Sequence, residues 1–331
     1  MQKNNEWKLL LFITLMVIGA DVAGSYLVKG SDELRESLLI LISVPIYVVV
    51  IGAEILFSFF KEKKYYSGEG TLANIYLTVL NMGFDLALRV FCLWFLGKCY
   101  TLGGLRLNMI WAPVLYWIVL TIFEDFMYYW EHRIDHFCRF FWASHITHHS
   151  SEEYNLTVGF RSSVFQPLYR FIYFIPIAFA GFRPEDIMFT YAFTQMWGIF
   201  VHTQTVGKLW KPIEYIMCTP SHHRVHHASN IKYLDKNMGM LLIIWDKMFG
   251  TFQKEDETYE PIKYGLTTNI KTVHPVTMVF HEWKNIFNDV RKPVKLKDKI
   301  MYLFGPPGWS HDGSTLTSSQ LREKEKNIKS G

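Results

Sequence analysis

Three short clusters hold nine of the thirteen histidines in this chain. They are His132 and His136, then His145, His148 and His149, then His222, His223, His226 and His227. Because residues three or four apart share one face of a helix, each cluster can direct two or three imidazoles to one point. Imidazole binds iron, zinc, copper or nickel and is a poor core residue when unpaired. The spacing therefore predicts a metal site rather than a solvated or tag-like tract, because the clusters are internal and interleaved with Trp, Phe and Ile.

The number of imidazoles indicates two metal ions. Eight to ten imidazoles exceed the four ligands of a tetrahedral zinc and suit two ions of higher coordination with open positions. His202 is a further candidate ligand, because the apolar run that it ends must come down beside the clusters. His222 is a ligand, a donor behind the ligands, or a cap after Pro220 and Ser221. Nitrogen ligands at a membrane surface favour iron that activates O₂ against an unactivated C–H bond.

One carboxylate shares a predicted helix with the first cluster. Asp125 lies seven residues before His132, one or two turns deeper on the same face. In one interpretation it accepts the ring N–H of a ligand and fixes the tautomer of that imidazole. In the other it is an ordinary carboxylate paired with a nearby Arg or Lys. The residues alone leave both interpretations open.

Several apolar runs are long enough to position these clusters at a membrane. Four candidate spans cover residues 7–28, 37–60, 72–96 and 109–130, each about the length that crosses ~30 Å of hydrocarbon. A weaker pair at residues 164–181 and 187–202 forms a hairpin that either crosses fully or enters partway. We therefore predict an all-α, multi-pass membrane helix bundle of about four spans plus a hairpin, with a cytosolic histidine-rich helical cap.

The chain has no repeat of fixed period, which favours a single integral-membrane domain over residues 1–290. Residues 291–331 form a polar C-terminal tail, whose Ser-, Thr-, Lys- and Glu-rich end is predicted to be disordered. Under the four-span model, eight Lys and Arg residues flank one side of the membrane and four flank the other. The positive-inside rule then places every histidine cluster in the cytoplasm, at a bacterial inner membrane or the endoplasmic reticulum.

Composition narrows the class of partner. Half of the residues are apolar and 17% are aromatic, which is rich for a soluble protein and points to lipid. The net charge is only +4, without a basic stripe between aromatic residues, so nucleic acid is excluded as a partner. The four cysteines have no CxxC spacing, and they predict neither a disulfide framework nor a cysteine zinc site.

The order of the clusters, HxxxH, HxxHH and HxxHH, resembles that of the fatty acid hydroxylase and sterol desaturase superfamily of integral-membrane di-iron enzymes. The stretch from Trp142 to Arg161 contains His-His-Ser-Ser-Glu-Glu-Tyr-Asn and is most similar to the alkylglycerol monooxygenase branch. The resemblance covers about residues 70–270. One departure is Ser162, where that branch is expected to have glutamine.

This resemblance implies two iron ions, tetrahydrobiopterin, an external electron donor and a lipid substrate. The implied reaction cleaves ether lipids by hydroxylating the carbon beside the ether oxygen. On this basis six side chains would lie behind the ligands or contact a cofactor: Asp125, Glu152, Glu153, Tyr154, Asn155 and Arg161. Alternatively, the residues after the second cluster only form the polar segment in which a helix ends and a loop begins.

Other functions remain open from the residues. The same site could hydroxylate or desaturate another lipid, as sterol desaturases and fatty acid hydroxylases do. A metal transporter would place its ligands on broken helices at the membrane midplane, whereas these clusters lie just outside the predicted spans. A membrane zinc hydrolase would need three ligands, an open position and a catalytic Glu. A metal transporter and a zinc hydrolase therefore fit the clusters less well than an oxygenase.

Overall fold

The structure, a computed structural model, describes residues 33–103 and 113–330. Over these residues the protein is all-α, without a β-strand. Two 3₁₀ helices, Val158–Phe160 and Ile231–Tyr233, connect longer elements. The α-helices in chain order are α1 (Glu33–Phe60), α2 (Gly68–Leu102), α3 (Pro113–Phe137), α4 (Arg139–His149), α5 (Pro167–Phe179), α6 (Pro184–Phe200), α7 (Lys211–Ile216), α8 (Pro220–His226), α9 (Ile244–Phe249), α10 (Pro275–Val290), α11 (Leu296–Phe304) and α12 (Ser318–Ser330).

Two helices in the described part of the chain are long and apolar enough to cross a membrane, judged by length and composition. They are Leu41–Phe60 within α1, with mean hydropathy 2.1, and Gly68–Leu102, which is α2, with mean hydropathy 1.6. They correspond to the spans predicted at residues 37–60 and 72–96. The span predicted at residues 7–28 lies outside the described residues.

The other predicted spans are not confirmed by the described helices. Helix α3 covers most of residues 109–130, but it does not qualify as a span, and its Glu124 and Asp125 are completely buried in the protein. Helix α5 has 13 residues and rises only about 20 Å, less than the ~30 Å of hydrocarbon.

The core lies where α2, α3, α5 and α6 meet. Leu96, Leu120, Ile177 and Ile187, one from each helix, are fully buried in a single cluster. A second cluster of Tyr129 and Met238 with its neighbours packs beneath the histidines. These two clusters hold the end of α3 in a fixed position relative to the loops that follow α8.

Local sequence signals set the ends of the helices that carry histidines. Cys138 adopts an extended backbone conformation and separates α3 from α4, so that α4 can turn back. Proline occupies the first turn of α5, α6 and α8, where its fixed φ and missing N–H are tolerated. Thr219 caps α8 through its hydroxyl, which satisfies one of the free amides at that end.

The C-terminal tail is more ordered than the composition predicts. Residues 318–330 form α12 instead of a disordered end. The guanidinium of Arg322 donates to the carbonyl oxygen of Leu234 at 2.7 Å, and the hydroxyl of Tyr259 donates to Glu325 at 2.8 Å. These tertiary contacts hold a helix whose own apolar content is low, which is why composition alone predicted disorder.

Candidate metal centre

Four elements bring the histidines together. The last two turns of α3 carry His132 and His136, and α4 returns the second cluster to the same place. Helix α8 carries the third cluster, and His202 follows the end of α6. All of these histidines are buried except His148, which is half-buried.

Nine histidines form two groups, within each of which one ring nitrogen per residue lies within 4.8 Å of all the others. The first histidine group contains His132, His136, His145, His149 and His226. The second histidine group contains His148, His202, His223 and His227. The groups are adjacent: the rings of His149 and His227, one from each, are stacked with their centroids 4.4 Å apart.

Helical periodicity explains how each HxxHH motif serves both groups. His145 and His149 are four residues apart and share the face of α4 that turns to the first group, whereas His148 projects from α4 to the second. In the third cluster, His223 and His227 go to the second group and His226 goes to the first. Each motif thus contributes to both groups at once.

Backbone carbonyls hold the outer nitrogen of several imidazoles. The Nδ1 atoms of His132 and His148 lie 2.8 Å from the carbonyl oxygens of Met238 and Arg161. His202 and His226 make the same contact with Gly198 at 2.6 Å and Lys236 at 2.9 Å. Because a carbonyl oxygen can only accept, Nδ1 must carry the proton, and Nε2 then presents a lone pair to the centre.

Carboxylates hold two further imidazoles. Nδ1 of His136 lies 3.2 Å from Oδ1 of Asp235. Nδ1 of His145 lies 3.6 Å from Oδ2 of Asp135 and 3.4 Å from the hydroxyl of Ser163. Carboxylate partners of this kind fix the orientation of metal-binding imidazoles and increase their basicity.

The inward nitrogens are arranged for cations. Nε2 of His132 lies 3.1 Å from Nε2 of His145, and Nε2 of His202 lies 3.3 Å from Nε2 of His148. In each pair both atoms present lone pairs, since Nδ1 holds the proton, so they repel one another unless a cation lies between them. Nε2 of His136 and of His226 are buried without a hydrogen-bond partner in the described structure. Since buried polar atoms are normally satisfied, these residues fit a metal ion in each group.

Burial also keeps these imidazoles neutral. Loss of solvent lowers the pKa of His148 to about 4. Desolvation first, and neighbouring imidazoles second, lower the pKa well below its ordinary value at His145, His149, His223, His226 and His227. Neutral imidazole is the form that binds metals, so the residues need not lose protons to bind at neutral pH.

His222 is the one predicted ligand that the structure leaves outside both groups. Its Nδ1 lies 3.3 Å from the amide nitrogen of Thr219 in the cap of α8. Its Nε2 lies 3.3 Å from Oε2 of Glu214. Both ring nitrogens are therefore engaged on the outer side of α8, and His222 has the capping role that the sequence left as an alternative.

Asp125 does not accept from a ligand imidazole. Its carboxylate accepts from the backbone amides of Leu241 and Leu242, at 2.8 and 3.1 Å, and from the indole of Trp245 at 2.8 Å. It therefore holds the loop after Met238, whose carbonyl oxygen in turn holds His132. Its effect on the site is indirect, through the backbone, because that loop lies between the two side chains.

The residues after the second cluster have separate positions. Glu152 is exposed and Glu153 is half-buried. Neither carboxylate makes a hydrogen bond or an ion pair with a histidine among the described residues. The ring of Tyr154 lies 5.3 Å from that of His227, and its hydroxyl donates to the carbonyl oxygen of Val201. Asn155 folds its side chain onto Thr157 and donates to the carbonyl oxygen of Tyr65. Of these four, only Tyr154 packs against the second histidine group.

Arg161 connects α4 to the second histidine group. Its guanidinium donates to the carbonyl oxygen of Thr147 at 2.7 Å, to Ser150 at 2.7 Å and to Asn74 at 2.9 Å. Its own carbonyl oxygen accepts from His148. Burial lowers the pKa of Arg161 to about 10, so the side chain remains charged at neutral pH. It supports the end of α4 rather than an open surface for a cofactor.

A buried polar network lies behind His145 and was not expected from the sequence. The amide of Gln166 donates to Glu131 at 2.9 Å and to Asp135 at 3.1 Å, and the hydroxyl of Tyr169 donates to Asp135 at 2.8 Å. Arg170 lies 3.6 Å from Glu131 and supplies the compensating positive charge. Asp135 lies between His132 and His136 in the sequence, and that position was the available signal for its role.

Comparison with known proteins identifies the domain that carries these histidines. The fatty acid hydroxylase family model matches residues 117–251, which include both histidine groups. Over residues 117–251 the chain is similar to the fatty acid hydroxylase family. No solved structure matches the chain.

Several curated proteins are also similar to this chain. Alkylglycerol monooxygenase from Homo sapiens is 39% identical over 61% of this chain and 44% of the relative. The alkylglycerol monooxygenase from Caenorhabditis elegans is 36% identical over 66% of this chain and 47% of the relative. An ornithine lipid hydroxylase from Rhizobium tropici is 28% identical over 42% of this chain and 43% of the relative. The chain thus spans somewhat less than half the length of the relatives that it matches.

Proposed function

We propose that this chain is a membrane-bound, non-haem di-iron oxygenase that hydroxylates a lipid C–H bond. The observation that carries the proposal is the convergence of nine buried imidazoles into two adjacent groups. Groups of five and four nitrogen ligands suit iron, which accepts higher coordination than zinc and is redox-active. Bound there, two irons would supply activation of O₂, with electrons from an external donor.

The residues of the chain prepare the site in three ways. Carbonyl oxygens and the carboxylates of Asp135 and Asp235 hold six of the nine imidazoles with a lone pair inward. Burial keeps the imidazoles neutral and excludes bulk water, which protects a reactive centre from side reactions. Ring contacts of His226 on α8 with His132 on α3 and His149 on α4 place the three helices side by side.

For the substrate, we propose an alkylglycerol ether lipid, on the strength of the similarity to alkylglycerol monooxygenases. Hydroxylation at the carbon beside the ether oxygen would put one atom of O₂ into the lipid and the other into water, using two electrons and two protons. The product is a hemiacetal, whose C–O bond breaks to give a fatty aldehyde and glycerol. Tetrahydrobiopterin is the proposed reductant.

A second candidate is hydroxylation or desaturation of another lipid. Similarity to the ornithine lipid hydroxylase, and to a sterol desaturase from Gibberella zeae that is 25% identical, favours it. The same histidine groups serve either reaction, since the chemistry needs electrons and a positioned C–H bond. In this case a carrier of the ferredoxin type would supply the electrons.

Elemental analysis and product analysis of the purified chain test the proposal. We expect about two irons per chain, as two full ligand groups require, and O₂-dependent release of fatty aldehyde from an alkylglycerol with reduced tetrahydrobiopterin. Product from another lipid with a ferredoxin-type donor would support the second candidate instead. Bound zinc together with lipid hydrolysis in the absence of O₂ would contradict both.

A further inference from the structure

Helices α10 and α11 lie outside the metal centre and expose one apolar face each. On α10 the exposed residues are spaced by four and seven positions, and on α11 by four, so each set lies on one side of its helix. Their side chains are between 48% and 74% exposed: Val276, Phe280, Phe287, Leu296, Ile300 and Phe304. Six large apolar side chains on two neighbouring helices form a continuous surface that a protein in water rarely shows.

The opposite face of α10 is already used by the core. Met278 and Val279 are buried against Leu77 of α2, in a cluster that also contains Ala73 and Val164. The exposed face is therefore not needed for packing within this chain.

The exposed face is continuous with a candidate membrane span. The ring of Phe280 on α10 lies 5.5 Å from that of Phe165, which lies 5.5 Å from that of Phe84 on α2. Phe84 is one of several outward-facing apolar residues on that span, which also include Val79 and Phe91. The apolar surface of α10 thus continues the surface that α2 would present to lipid.

Basic residues border this face. Residues 271–300 contain seven Lys and Arg against three Asp and Glu. Two of the three acids, Glu282 and Asp289, pair with Arg139 at 2.7 Å each. Asp289 also pairs with Lys292 at 2.7 Å, so the excess of positive charge comes from the other Lys and Arg residues of the segment. The guanidinium of Arg291 lies over the ring of Phe287. Long basic side chains adopt such positions at an apolar surface, with the stem along the surface and the charge in water.

We propose that α10 and α11 lie in the headgroup layer of the membrane. Their apolar face enters the acyl boundary, and their Lys and Arg residues contact anionic lipid headgroups. Amphipathic helices with this division of apolar and basic residues bind membranes in that orientation, and each basic residue near an anionic surface adds to the attraction. Continuity with α2 and the excess of positive charge favour a lipid surface over a second copy of the chain.

This position determines the height of the metal centre. Arg139 is the first residue of α4, and its two ion pairs attach α4 directly to α10. Helix α4 carries His145, His148 and His149, so both histidine groups are held at a fixed distance from the headgroup layer. If the proposed function holds, the lipid is attacked near its polar end and not near the middle of its acyl chain, as the ether carbon of an alkylglycerol requires.

Photo-crosslinking in vesicles tests the surface without requiring activity. Benzoylphenylalanine in place of Phe287 or Ile300 should form adducts with lipid in vesicles of phosphatidylcholine and phosphatidylserine. The same residue in place of Asn285, which is exposed and lies on the opposite side of α10, should not. Crosslinks to a second copy, equal lipid adducts at Asn285, or none at Phe287 and Ile300 would overturn the proposal.

Two further variants separate its parts. Replacing Lys295, Lys297 and Lys299 by glutamine should remove any preference of the adducts for phosphatidylserine, and a retained preference would contradict the role of the basic border.

The double variant F287D and I300D should raise KM for a lipid presented in vesicles and leave kcat on detergent-dispersed lipid unchanged. An unchanged KM would overturn the link between the surface and the site. Normal lipid adducts in a protein without oxygenase activity would count against the proposed function alone.

Discussion

The carboxylate of Glu54, on the candidate span α1, accepts a hydrogen bond from the hydroxyl of Thr203. Thr203 directly follows His202 of the second histidine group. Glu54 also accepts from the hydroxyl of Tyr66 and from the backbone amide of Leu156 at 2.9 Å. A single buried carboxylate thus joins a candidate membrane span to the turn that carries a predicted ligand.

We expect E54Q to weaken metal binding at the second histidine group and spare the first. The amide keeps the shape of the side chain but cannot accept from all three donors, so the turn at His202 loosens. Loss of a partner that orients ligands typically lowers metal affinity about 10- to 100-fold. Chelator-dependent loss of iron, followed by the visible or Mössbauer spectrum of the remaining ion, measures the effect.

E69Q is the matched control for E54Q, because Glu69 is an exposed carboxylate at the start of α2. It should release iron like the unmodified protein. T203V removes the hydroxyl that donates to Glu54 and accepts from the amide of Thr205. It should reproduce part of the E54Q effect, with the two changes less than additive when combined. If E54Q loses iron from both groups at the same rate, the carboxylate stabilises the fold and does not position His202.

Single ligand substitutions should act on one group at a time. H149A and H226A remove ligands of the first histidine group, and H148A removes a ligand of the second. Each should abolish activity and lower iron from about two toward about one per chain, while the helical circular dichroism stays unchanged. H274A, at an exposed residue before α10, is the control. Full activity in any of the three would remove that residue from the ligand set.

The substitution H222A should destabilise the protein without changing its iron content. His222 caps α8 and contacts Glu214 instead of either histidine group. Loss of a helix cap costs about 1 kcal/mol, which denaturant titration of the purified protein can measure. A loss of bound iron at unchanged stability would return His222 to the ligand set that the sequence predicted.

Membrane topology is testable with thiol reagents that cannot cross a bilayer. With the four native cysteines replaced, K64C and K263C should react from the same side, and L102C only from the other. Residue 64 precedes α2, residue 102 is the last residue at the opposite end of that helix, and residue 263 follows the histidine-bearing elements. Reaction of K64C and K263C from opposite sides would contradict the proposed cytoplasmic position of the histidines and the positive-inside count.

Much of the candidate site follows from spacing alone. The i, i+3 and i+4 repeats predicted that the clusters converge, and the structure brings nine of the ten named histidines into the two groups. His222 differs because a capping position and a ligand position share the same spacing on α8. Only the direction of its ring distinguishes them, and that depends on Glu214, which lies in another helix.

The supporting residues were less predictable. Four imidazoles are held by the carbonyl oxygens of Met238, Arg161, Gly198 and Lys236. A backbone carbonyl has no signature in the side chains, so the folded loop must be known before its role appears. Glu54 is the one charged residue in the apolar run at residues 37–60, a pattern that indicates a functional or structural role but does not name the partner.

Sharing α4 and α8 between the two histidine groups has a consequence for assembly. The first ion to bind must draw both helices into place, because each helix supplies ligands to both groups. The ordering entropy of those helices is then already lost when the second ion arrives, so the second binds more tightly. Loading should be cooperative, and titration of the metal-free chain should pass from empty to doubly filled with little of the singly filled form.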